Sequence, residues 1–554
     1  MIVDSLTAPR WVEQVILDVA AAEFAEIVLI AVAPPRHTLW RKARSKITSG
    51  VALFSLYERL DKRLFRRRPD ALARADLSRL AESTRVVRAG PNPSTDFAPG
   101  LSAATIDTIR DEGIDVALAL GDEACDELAS AARYGVWRLH HGDNRAYRGG
   151  PALFWEMYDH STISETVLEA LTIDATRVIY RSFSVTDPVS LYRSRNATYW
   201  KSAQFFVRRL RDLDRRGWEY ICSGEGHGNR DADPGDGDAH LLGAQTYGSP
   251  SNAQLIGHLV RLALGLLRRR IVGLVFRDEW FLAYRRRQAD DELSGSGVAF
   301  ETIEPPANRF YADPFVIEHG GAHWLLFEDY SYSERKAVIA YALLEGGEQV
   351  QRAGIALECE HHLSYPFVFA WDGEIYMLPE MGAAQTVDLY RATEFPHRWE
   401  RERTLISGTT VVDPTLLVHD GLFWLFANVP VAGATVQDEL CLFWSTSLAG
   451  EWEPHPANPI VSDVRRARPA GRIFRHDGHL IRPAQDCSFR YGRAVVLNRI
   501  ERLTRDDYHE VTVGRIDPDW MPGIVATHTY DANETYEVRD ASKPRVKAFG
   551  AGRP

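Results

Sequence analysis

The spacing of apolar residues changes near residue 270. Before that point, short apolar runs such as EIVLIAVAP, IDVALALG and YGVWRLHHG alternate with stretches of helical character, among them SETVLEALT and YWKSAQFFVRRLRDL. This alternation predicts an α/β domain built on a parallel sheet. From about residue 273 onwards, strand-like runs separated by glycine-containing turns predict an all-β domain.

These patterns predict a multidomain chain of 554 residues. We expect an α/β domain over residues 1–223, a loop and connecting helix over 224–272, an all-β domain over 273–545 and a tail over 546–554. The loop Gly224–His240 is rich in Gly and Asp but lacks the spacing of an EF-hand, and we predict no metal site. The helix Ala253–Arg270 is expected to be amphipathic and packed, with arginines at its C-terminal end.

The second half of the chain contains an internal repeat. Four copies align on their prolines at intervals of 52, 48 and 55 residues: Pro314, Pro366, Pro414 and Pro469. A period near fifty residues with one hairpin in each copy predicts the blades of a β-propeller. A fifth blade can be assembled from Gly273–Arg287 and the C-terminal segment GIVATHTYDANETYEVRD. Strands from both ends of the domain would then close the ring and remove open edges.

The hairpins of the first three copies predict where acidic side chains lie. The turns Gly320-Gly321, Asp372-Gly373 and Asp420-Gly421 suit type I′ hairpins. Strand pairing counted outward from these turns places six residues at one rim: Asp313 opposite Glu328, Tyr365 opposite Glu380, and Asp413 opposite Asn428. A β-bulge would shift this pairing by one residue. If these strands are the inner ones, Asp313, Glu380 and Asp413 converge on one mouth.

Three carboxylates around a concave mouth suit glycosidic chemistry. One acid can protonate a leaving oxygen while another attacks or activates water, and their mutual repulsion keeps at least one protonated. The alternative is architectural, because Asp before Pro often only stabilises a turn. The fourth copy adds rim candidates that either bind a phosphate or sugar acid or form structural ion pairs: Arg468, Arg472, Arg482, Gln485 and Asp486.

The motifs of the repeat resemble two groups of propellers. The hairpins ADPF and VDPT and the segment LAGEWEPHPANPIVSD resemble the five-bladed propellers of furanosidase-type glycoside hydrolases. More closely, Asn308–Asp486, with FYADPFV, SYPFVF, YMLPE and LYRATEFPHRWE, resembles the N-terminal propeller of plant glucosamine inositolphosphorylceramide transferases and their bacterial relatives. The hydrolase resemblance implies functional roles for Asp313 and Asp413. Its acid normally follows the third-blade Asp, whereas Glu380 precedes it.

The first domain resembles another enzyme family. The segment Tyr134–Leu171 is similar to the formyltransferases that use N10-formyltetrahydrofolate and have a Rossmann-like fold. The resemblance implies catalytic roles for His140 and Asp174, and that cofactor if the domain is active. The catalytic Asn of the family falls on Arg138. Further substrate-binding candidates of this stretch are Asp143, in GDNR, and Arg148, in YRG.

Composition narrows the setting. A net charge of −11 argues against a nucleic-acid partner. Five scattered cysteines fit a reducing compartment. The start of the chain alternates polar and apolar residues like an amphipathic helix and does not resemble a secretory signal. No run of eighteen apolar residues occurs. We therefore expect a cytoplasmic protein without a transmembrane segment. The basic stretch Arg41–Leu77 either contacts an acidic membrane surface or is a solvated helix face.

Three functions remain open from the sequence. The first is a carbohydrate-active enzyme whose mouth binds a glycan or sugar nucleotide and transfers or hydrolyses a glycosyl unit through Asp313, Glu380 and Asp413. The second is a sugar N-formyltransferase using His140 and Asp174, with the propeller as an accessory module. The third is a non-catalytic glycan-binding scaffold.

Overall fold

The computed structural model describes residues 1–32, 51–82, 84–88, 103–121, 126–142, 147, 149–223, 247–288, 299–344, 350 and 352–547. The chain forms two compact units. The first comprises Met1–Leu266 with Val431–Thr435, and the second comprises Leu267–Pro430 with Val436–Pro554. The predicted Asp-rich loop Gly224–His240 lies outside the described residues.

The first unit contains a seven-stranded mixed sheet. The described residues of this unit form the strands β1 (Ile2–Val3), β2 (Thr7–Pro9), β3 (Leu29–Val32), β4 (Arg74–Asp76), β5 (Arg85–Arg88), β6 (Ala117–Ala119), β7 (Val136–His141), β8 (Ile163–Leu171) and β9 (Thr176–Val185). The order in the sheet is β5-β3-β1-β6-β7-β8-β9, and β2 pairs with β4 separately. The strands from β5 to β7 are parallel, whereas β8 and β9 are antiparallel.

Helices accompany the sheet of the first unit. They are α1 (Arg10–Ala20), α2 (Val51–Phe65), α3 (Ser78–Ala81), α4 (Ala103–Asp111), a 3₁₀ helix (Asp126–Ser130), α5 (Phe154–Tyr158) and α6 (Leu191–Cys222). The side chain of Ser190 caps α6 by accepting a hydrogen bond from the backbone N–H of Arg193. Helix α6 is interrupted at Gly217, where φ is 78°. Apolar residues of α1, α6 and the sheet form one core, which includes Val15, Trp137 and Phe206.

Two local predictions for the first unit were wrong. The start of the chain is not one helix, because β1 and β2 precede α1, which begins after Pro9. The stretch SETVLEALT is strand β8, not a helix, and its central residues are buried. Its polar side chains are partnered: Ser164 with Thr186, and Glu165 with Arg181. Because these buried polar residues have partners, the strand tolerates them, and their spacing resembles the polar positions of an amphipathic helix.

The second unit is a five-bladed β-propeller. Blade 1 contains β12–β15, blade 2 β16–β19, blade 3 β20–β23, blade 4 β24–β28, and blade 5 β10, β11, β29 and β30. The strands are β10 (Phe276–Arg286), β11 (Glu301–Ile303), β12 (Arg309–His319), β13 (Ala322–Ser331), β14 (Lys336–Leu343), β15 (Arg352–Leu357), β16 (Ser364–Trp371), β17 (Glu374–Glu380), β18 (Thr386–Glu394), β19 (Arg398–Ser407), β20 (Val412–His419), β21 (Leu422–Asn428), β22 (Leu440–Ser445), β23 (Glu453–Pro454), β24 (Arg468–Pro469), β25 (Phe474–His476), β26 (His479–Asp486), β27 (Ala494–Leu503), β28 (Tyr508–Ile516), β29 (Tyr530–Ala532) and β30 (Tyr536–Val546).

Blade 5 closes the ring as the sequence predicts. Strand β10 pairs with β30 along its whole length, from Phe276 opposite Val546 to Arg286 opposite Tyr536. The blade thus joins the start of the unit to its end. Strands from both ends of the unit are thus paired within one sheet.

The hairpin turns are also confirmed. Both central residues of each turn have positive φ, for example 50° at Asp372 and 81° at Gly373, which is the type I′ geometry. The predicted pairings at the far end of the hairpins are shifted by one residue. A bulge before each proline places Ala312, not Asp313, opposite Glu328. The same shift places Ser364 opposite Glu380 and Val412 opposite Asn428.

The connecting helix α7 (Asn252–Val275) is longer and less packed than predicted. Leu255 and His258 are buried, but Ile256, Val260 and Leu264 are each more than half exposed. The prediction of a packed helix therefore fails for most of its length. Within the described residues, no helix combines the length and the apolar character needed to span a membrane.

Candidate functional site

Residues that precede the repeat prolines surround the centre of the propeller. Asp313, Tyr365 and Asp413 lie on the innermost strands of blades 1 to 3, with φ of 52°, 46° and 52°. Positive φ is uncommon for residues other than glycine, and each value coincides with a bulge in its strand. Arg468 holds the matching place before Pro469 in blade 4. The repeat therefore turns one side chain of each blade toward a common region.

The second strand of each blade supplies a further set of polar residues. The strand register places four of them at matching positions of blades 1 to 4: Glu328, Glu380, Asn428 and Gln485. Strand β30 of blade 5 adds Asp540. Backbone groups of the neighbouring blade bind two of these carboxylates. The N–H of Asp313 donates to Asp540 at 3.1 Å, and the N–H of Asp413 donates to Glu380 at 3.2 Å. Adjacent blades are thus joined at the rim that holds the acids.

Arg468 links two of the predicted acids. Its Nε donates to Asp413 Oδ2 at 2.6 Å and its terminal nitrogen donates to Asp413 Oδ1 at 3.3 Å. The same terminal nitrogen lies 3.8 Å from Glu380 Oε2. Gln485 donates a further hydrogen bond to Asp413 at 3.1 Å. Asp413 is consequently a buried carboxylate held by three donors from blade 4.

Glu380 is the more accessible acid of this pair, with 17% of its side chain exposed. Burial raises its pKa well above the usual range, and the neighbouring Asp413 raises it further, while Arg468 opposes them. Burial, followed by the charge of Asp313, also raises the pKa of Glu328. Both carboxyl groups are therefore harder to ionise than a glutamate in water.

Asp313 belongs to a chain of buried polar groups that the sequence did not reveal. His528 Nε2 lies 3.5 Å from Asp313 Oδ1, and His528 Nδ1 lies 2.6 Å from Asp540 Oδ2. All three side chains are at most 4% exposed. Burial raises the pKa of Asp313 to about 6, although His528 opposes this shift. Asp540 and Asp313 outweigh the effect of burial on His528 and raise its pKa.

The ligand atoms of Asp313, His528 and Asp540 all lie within 4.8 Å of one another, a spacing at which a cation could be held. However, the carboxylate oxygens already accept hydrogen bonds. Asp313 accepts from the hydroxyl of Thr529 at 2.8 Å and from the N–H of Tyr365 at 3.2 Å. Asp540 Oδ1 accepts from the N–H groups of His528 and Thr529. We therefore interpret the group as a hydrogen-bonded relay that orients Asp313.

Two tyrosines complete the mouth. The buried hydroxyl of Tyr365 accepts a hydrogen bond from the N–H of Gly471 and bonds the hydroxyl of Thr415, both at 2.8 Å, so it links blades 2, 3 and 4. Tyr491 is 40% exposed, and its ring centroid lies 4.9 Å from the guanidinium carbon of Arg468. An exposed aromatic ring beside buried acids is a suitable surface for a sugar ring to stack on.

Other rim candidates of blade 4 have separate partners. Arg472 donates to Asp531 at 3.0 Å and to the carbonyl of Val368 at 2.7 Å, on the inner strands. Arg482 is 1% exposed and pairs with Glu510 through two bonds of 2.7 and 2.8 Å. Asp486 pairs with Arg515 at 2.7 Å. Arg472, Arg482 and Asp486 thus form ion pairs within the protein, which is the structural role that the sequence left open for them. Asn428, also buried, donates to the carbonyl of Val436.

The predicted residues of the first unit do not form one site. His140 Nε2 lies 2.8 Å from the buried Glu169, which Arg138 also approaches at 3.4 Å. Asp174 lies in the exposed turn between β8 and β9, beside the start of β7, whereas His140 is near the end of β7. His140 is four residues along β7 from the strand end beside which Asp174 lies, a distance of about 13 Å along the strand. The ungapped match to Asp174 overlooked this hairpin. Asp143 and Arg148 lie outside the described residues, and the formyltransferase resemblance stays a prediction.

Glu169 is the functional candidate that the sequence missed in this unit. Burial opposes its ionisation, but the hydrogen bonds and charges of His140 and Arg138 outweigh burial and lower the pKa of Glu169. A signal was present, because an isolated Glu in an otherwise apolar strand requires a partner. The resulting imidazole–carboxylate pair can position a proton, but no substrate contact identifies its role.

Comparison with known proteins supports the propeller resemblance. Residues 298–518 match the family described as "Glucosamine inositolphosphorylceramide transferase 1, N-terminal". Glucosamine inositolphosphorylceramide transferase 1 of Oryza sativa subsp. japonica is 43% identical over 212 residues, which cover 38% of this chain and 28% of that protein. The protein of the same name from Arabidopsis thaliana is 39% identical over 220 residues, or 39% of this chain and 28% of the relative. The chain therefore spans little more than a quarter of these relatives.

Similar solved structures include Zg3597, a family 117 glycoside hydrolase of Zobellia galactanivorans. It is 14% identical, covers 51% of this chain and 93% of its own, and has a TM-score of 0.32. A thermostable family-43 glycoside hydrolase is 11% identical over 44% of this chain and 93% of its own, also with a TM-score of 0.32. These values carry no argument about activity. Residues 298–518, which contain blades 1 to 4 and the acids Asp313, Glu380 and Asp413, thus match the N-terminal family of glucosamine inositolphosphorylceramide transferases.

Proposed function

We propose that the propeller mouth binds a glycosyl unit of a glycan or glycoconjugate and acts on its glycosidic bond by acid–base chemistry. The observation that carries this proposal is the position of Glu380 and Asp313 on the same rim of neighbouring blades, where burial raises the pKa of both acids. Glu380 is partly exposed with a raised pKa, whereas Asp313 has a pKa of about 6 and ionises at neutral pH. The similarity to proteins named as glucosamine inositolphosphorylceramide transferases supports a carbohydrate ligand.

Each acid has a defined part in the proposed step. Glu380 donates its proton to the glycosidic oxygen as the bond from that oxygen to the anomeric carbon breaks. Asp313 accepts the proton of the attacking hydroxyl group, from water or from an acceptor alcohol, as the new bond to the anomeric carbon forms. The cycle closes when Asp313 releases its proton to solvent and Glu380 takes one up from solvent. His528 and Asp540 hold Asp313 in place, and Arg468 holds Asp413.

The order of the acids along the chain differs from that of the furanosidase-type hydrolases. The resemblance implies an acid after the third-blade Asp, but the second strand of blade 4 carries Gln485 at the ring position. An amide cannot donate a proton as an acid does. Glu380, on the second strand of blade 2, is the acid that contacts Asp413 through its backbone and through Arg468. The proposal therefore assigns the acid role to blade 2.

The test uses the full chain and a panel of methyl glycosides, whose strongly basic leaving oxygen requires protonation, with release of methanol as the readout. Glu380→Gln should lower kcat by about 10²- to 10⁴-fold, the usual contribution of a general acid, with a smaller change in KM. Glu374→Gln is the matched control, because Glu374 starts the same strand and is half exposed. Equal activity of the two variants would overturn the catalytic role.

Binding is measured separately from turnover. Thermal-shift titration with the same glycosides and with sugar nucleotides should raise the unfolding temperature of the wild type. If a sugar binds but no glycoside is cleaved or transferred, and Glu380→Gln binds it equally well, the mouth is a non-catalytic glycan-binding site. If no sugar of the panel binds, the proposal of a glycosyl ligand fails for that panel's sugar classes.

A further inference from the structure

The first unit contains a cavity of about 1020 Å³ whose lining is strongly basic. The walls come from the start of α1, the end of α2, the loop that follows α2, and β4. Five cationic side chains and one carboxylate line it: Arg10, Lys62, Arg66, Arg68, Arg74 and Asp70. The chain as a whole carries a net charge of −11. A concentration of positive charge in a cavity therefore opposes the overall sign of the protein.

Three of these cations have no carboxylate partner among the described residues. Asp70, which is 4% exposed, pairs with Arg66 at 3.0 Å and with Lys62 at 3.3 Å. Within the part of the chain that the structure describes, Arg10, Arg68 and Arg74 form no ion pair with a carboxylate. Like charges that share a cavity repel one another, so a bound anion would relieve this repulsion.

The wall of the cavity is fixed by buried groups. Asn196, 4% exposed, accepts a hydrogen bond from the N–H of Ala71 at 2.7 Å and donates to the carbonyl of Pro69 at 3.2 Å. Trp200 donates to the same carbonyl at 3.1 Å. At the other side, the N–H of Arg10 donates to the carbonyl of Ala73 at 2.8 Å. The loop that carries Arg68 and Arg74 is thereby held between α1 and α6.

We propose that this cavity binds a ligand through a diphosphate or similarly charged phosphate group. Guanidinium groups bind phosphate oxygens through two parallel hydrogen bonds, and three unpaired arginines are available for a group with at least two negative charges. The volume also accommodates the organic part of a ligand of metabolite size. All residues that line this cavity belong to the first unit.

The phosphate can belong to a soluble molecule or to a lipid. Helix α2, which contributes Lys62, also carries Leu56, Leu60 and Leu64, which are 50%, 49% and 74% exposed and follow one another at helical spacing. An apolar stripe beside basic residues is typical of contact with a lipid surface. The shared chemistry is recognition of phosphate, and the experiment distinguishes the two sources.

The test is calorimetric titration of the full chain with inorganic pyrophosphate and with uridine diphosphate, at low and at high salt. Sedimentation with phosphatidylcholine vesicles, with and without phosphatidate, forms the lipid arm. We expect saturable binding at one site that weakens as salt rises. Tighter binding of uridine diphosphate than of pyrophosphate supports a nucleotide ligand. Phosphatidate-dependent sedimentation supports a lipid phosphate.

The discriminating variant is Arg68→Glu/Arg74→Glu. Both residues are exposed and unpaired, so the fold should be kept, which circular dichroism and thermal unfolding verify. Each lost charged hydrogen bond weakens binding by about tenfold, so the double variant should bind about a hundredfold more weakly. The control is Arg177→Glu/Arg398→Glu, an equal charge change at exposed residues of β9 and β19. Absence of saturable binding in every arm, or equal weakening by control and double variant, overturns the proposal.

Discussion

Replacement of Asp313 by Asn tests whether the carboxyl group is held in the unfavourable environment that the structure indicates. Its pKa is raised from 3.8 to about 6, chiefly by burial. The folded protein therefore keeps this proton at pH values at which the unfolded chain has lost it. The contribution of Asp313 to the free energy of unfolding consequently falls as pH rises through the interval between these two values.

The magnitude follows from the size of the shift. About two pKa units correspond to about 3 kcal/mol, which ionised Asp313 costs the fold above pH 6. Asn cannot ionise, so the variant avoids this cost. Asn retains only one of the two acceptor oxygens that bind Thr529 and Tyr365, which costs about 1 kcal/mol at every pH. We expect the variant to be about 1 kcal/mol less stable at pH 4 and about 2 kcal/mol more stable at pH 8.

The assay is urea-induced unfolding of wild type and variant at pH 4, 6 and 8, with the difference in free energy of unfolding plotted against pH. His528 also has a raised pKa, so its stabilising contribution declines as pH rises, and the loss of Asp313 reduces it. The measured change between pH 4 and 8 should then lie somewhat above about 3 kcal/mol, because the variant lacks this part of the His528 contribution at pH 4 but not at pH 8. Asp477→Asn, in an exposed turn, is the control with no pH-dependent change expected. A difference that is flat or falls with pH would refute the reasoning.

Three further substitutions test the contacts of the mouth by urea unfolding. Asp413→Ala should cost about 3–5 kcal/mol, because it leaves the buried guanidinium of Arg468 without its paired carboxylate, and a cost below about 1 kcal/mol would contradict this. Tyr365→Phe should cost about 1–3 kcal/mol at every pH by leaving the N–H of Gly471 unsatisfied, whereas unchanged stability would show that this bond contributes nothing. Gly471→Ala should cost at least about 2 kcal/mol, because φ at this position is 127° and a Cβ atom would lie 1.8 Å from the carbonyl oxygen of Tyr530. A neutral effect would refute the tight packing of blades 4 and 5.

The propeller could be predicted because its signals are local. Each hairpin carries two turn residues that accept positive φ and a proline at a fixed distance from the turn, and four copies repeat these signals. The exact register at the rim could not be predicted. It depends on a bulge at Asp313 and at its counterparts Tyr365 and Asp413, where the backbone adopts positive φ before a proline. Only the folded strand pairing reveals that choice.

The relay behind Asp313 was missed because it has no repeat signal. His528 lies 215 positions after Asp313 and comes from the blade that lacks the proline motif, so only closure of the ring brings the two together. The contacts of Arg468 with the acids of blades 2 and 3 are likewise a property of the assembled ring. Arg468 was identified as a candidate, but its bonds to Asp413 and its proximity to Glu380 follow from the contact between blades 3 and 4.

The first unit was harder to predict, because its polar residues are satisfied by distant partners. Strand β8 has the composition of a helix, and only the pairing of Glu169 with His140 and of Glu165 with Arg181 explains acids in a buried strand. The prediction that Asp174 lies beside His140 fails for a geometric reason. The ungapped alignment with the family motif did not include the turn between β8 and β9, which carries Asp174 to the other end of the strands.

The most direct test of the central claim is the titration of Glu380 followed by ¹³C NMR of labelled glutamate carboxyl groups, with Glu380→Gln used to assign the signal. The ring brings Asp413 of blade 3 next to Glu380 of blade 2, and after burial this neighbour is the main cause of the raised pKa of Glu380. We predict that Asp413→Asn lowers the pKa of Glu380, because a negative neighbour is removed while Arg468 remains. A pKa of Glu380 that stays the same in this variant would contradict the claim that the blades gather their acids in one mouth.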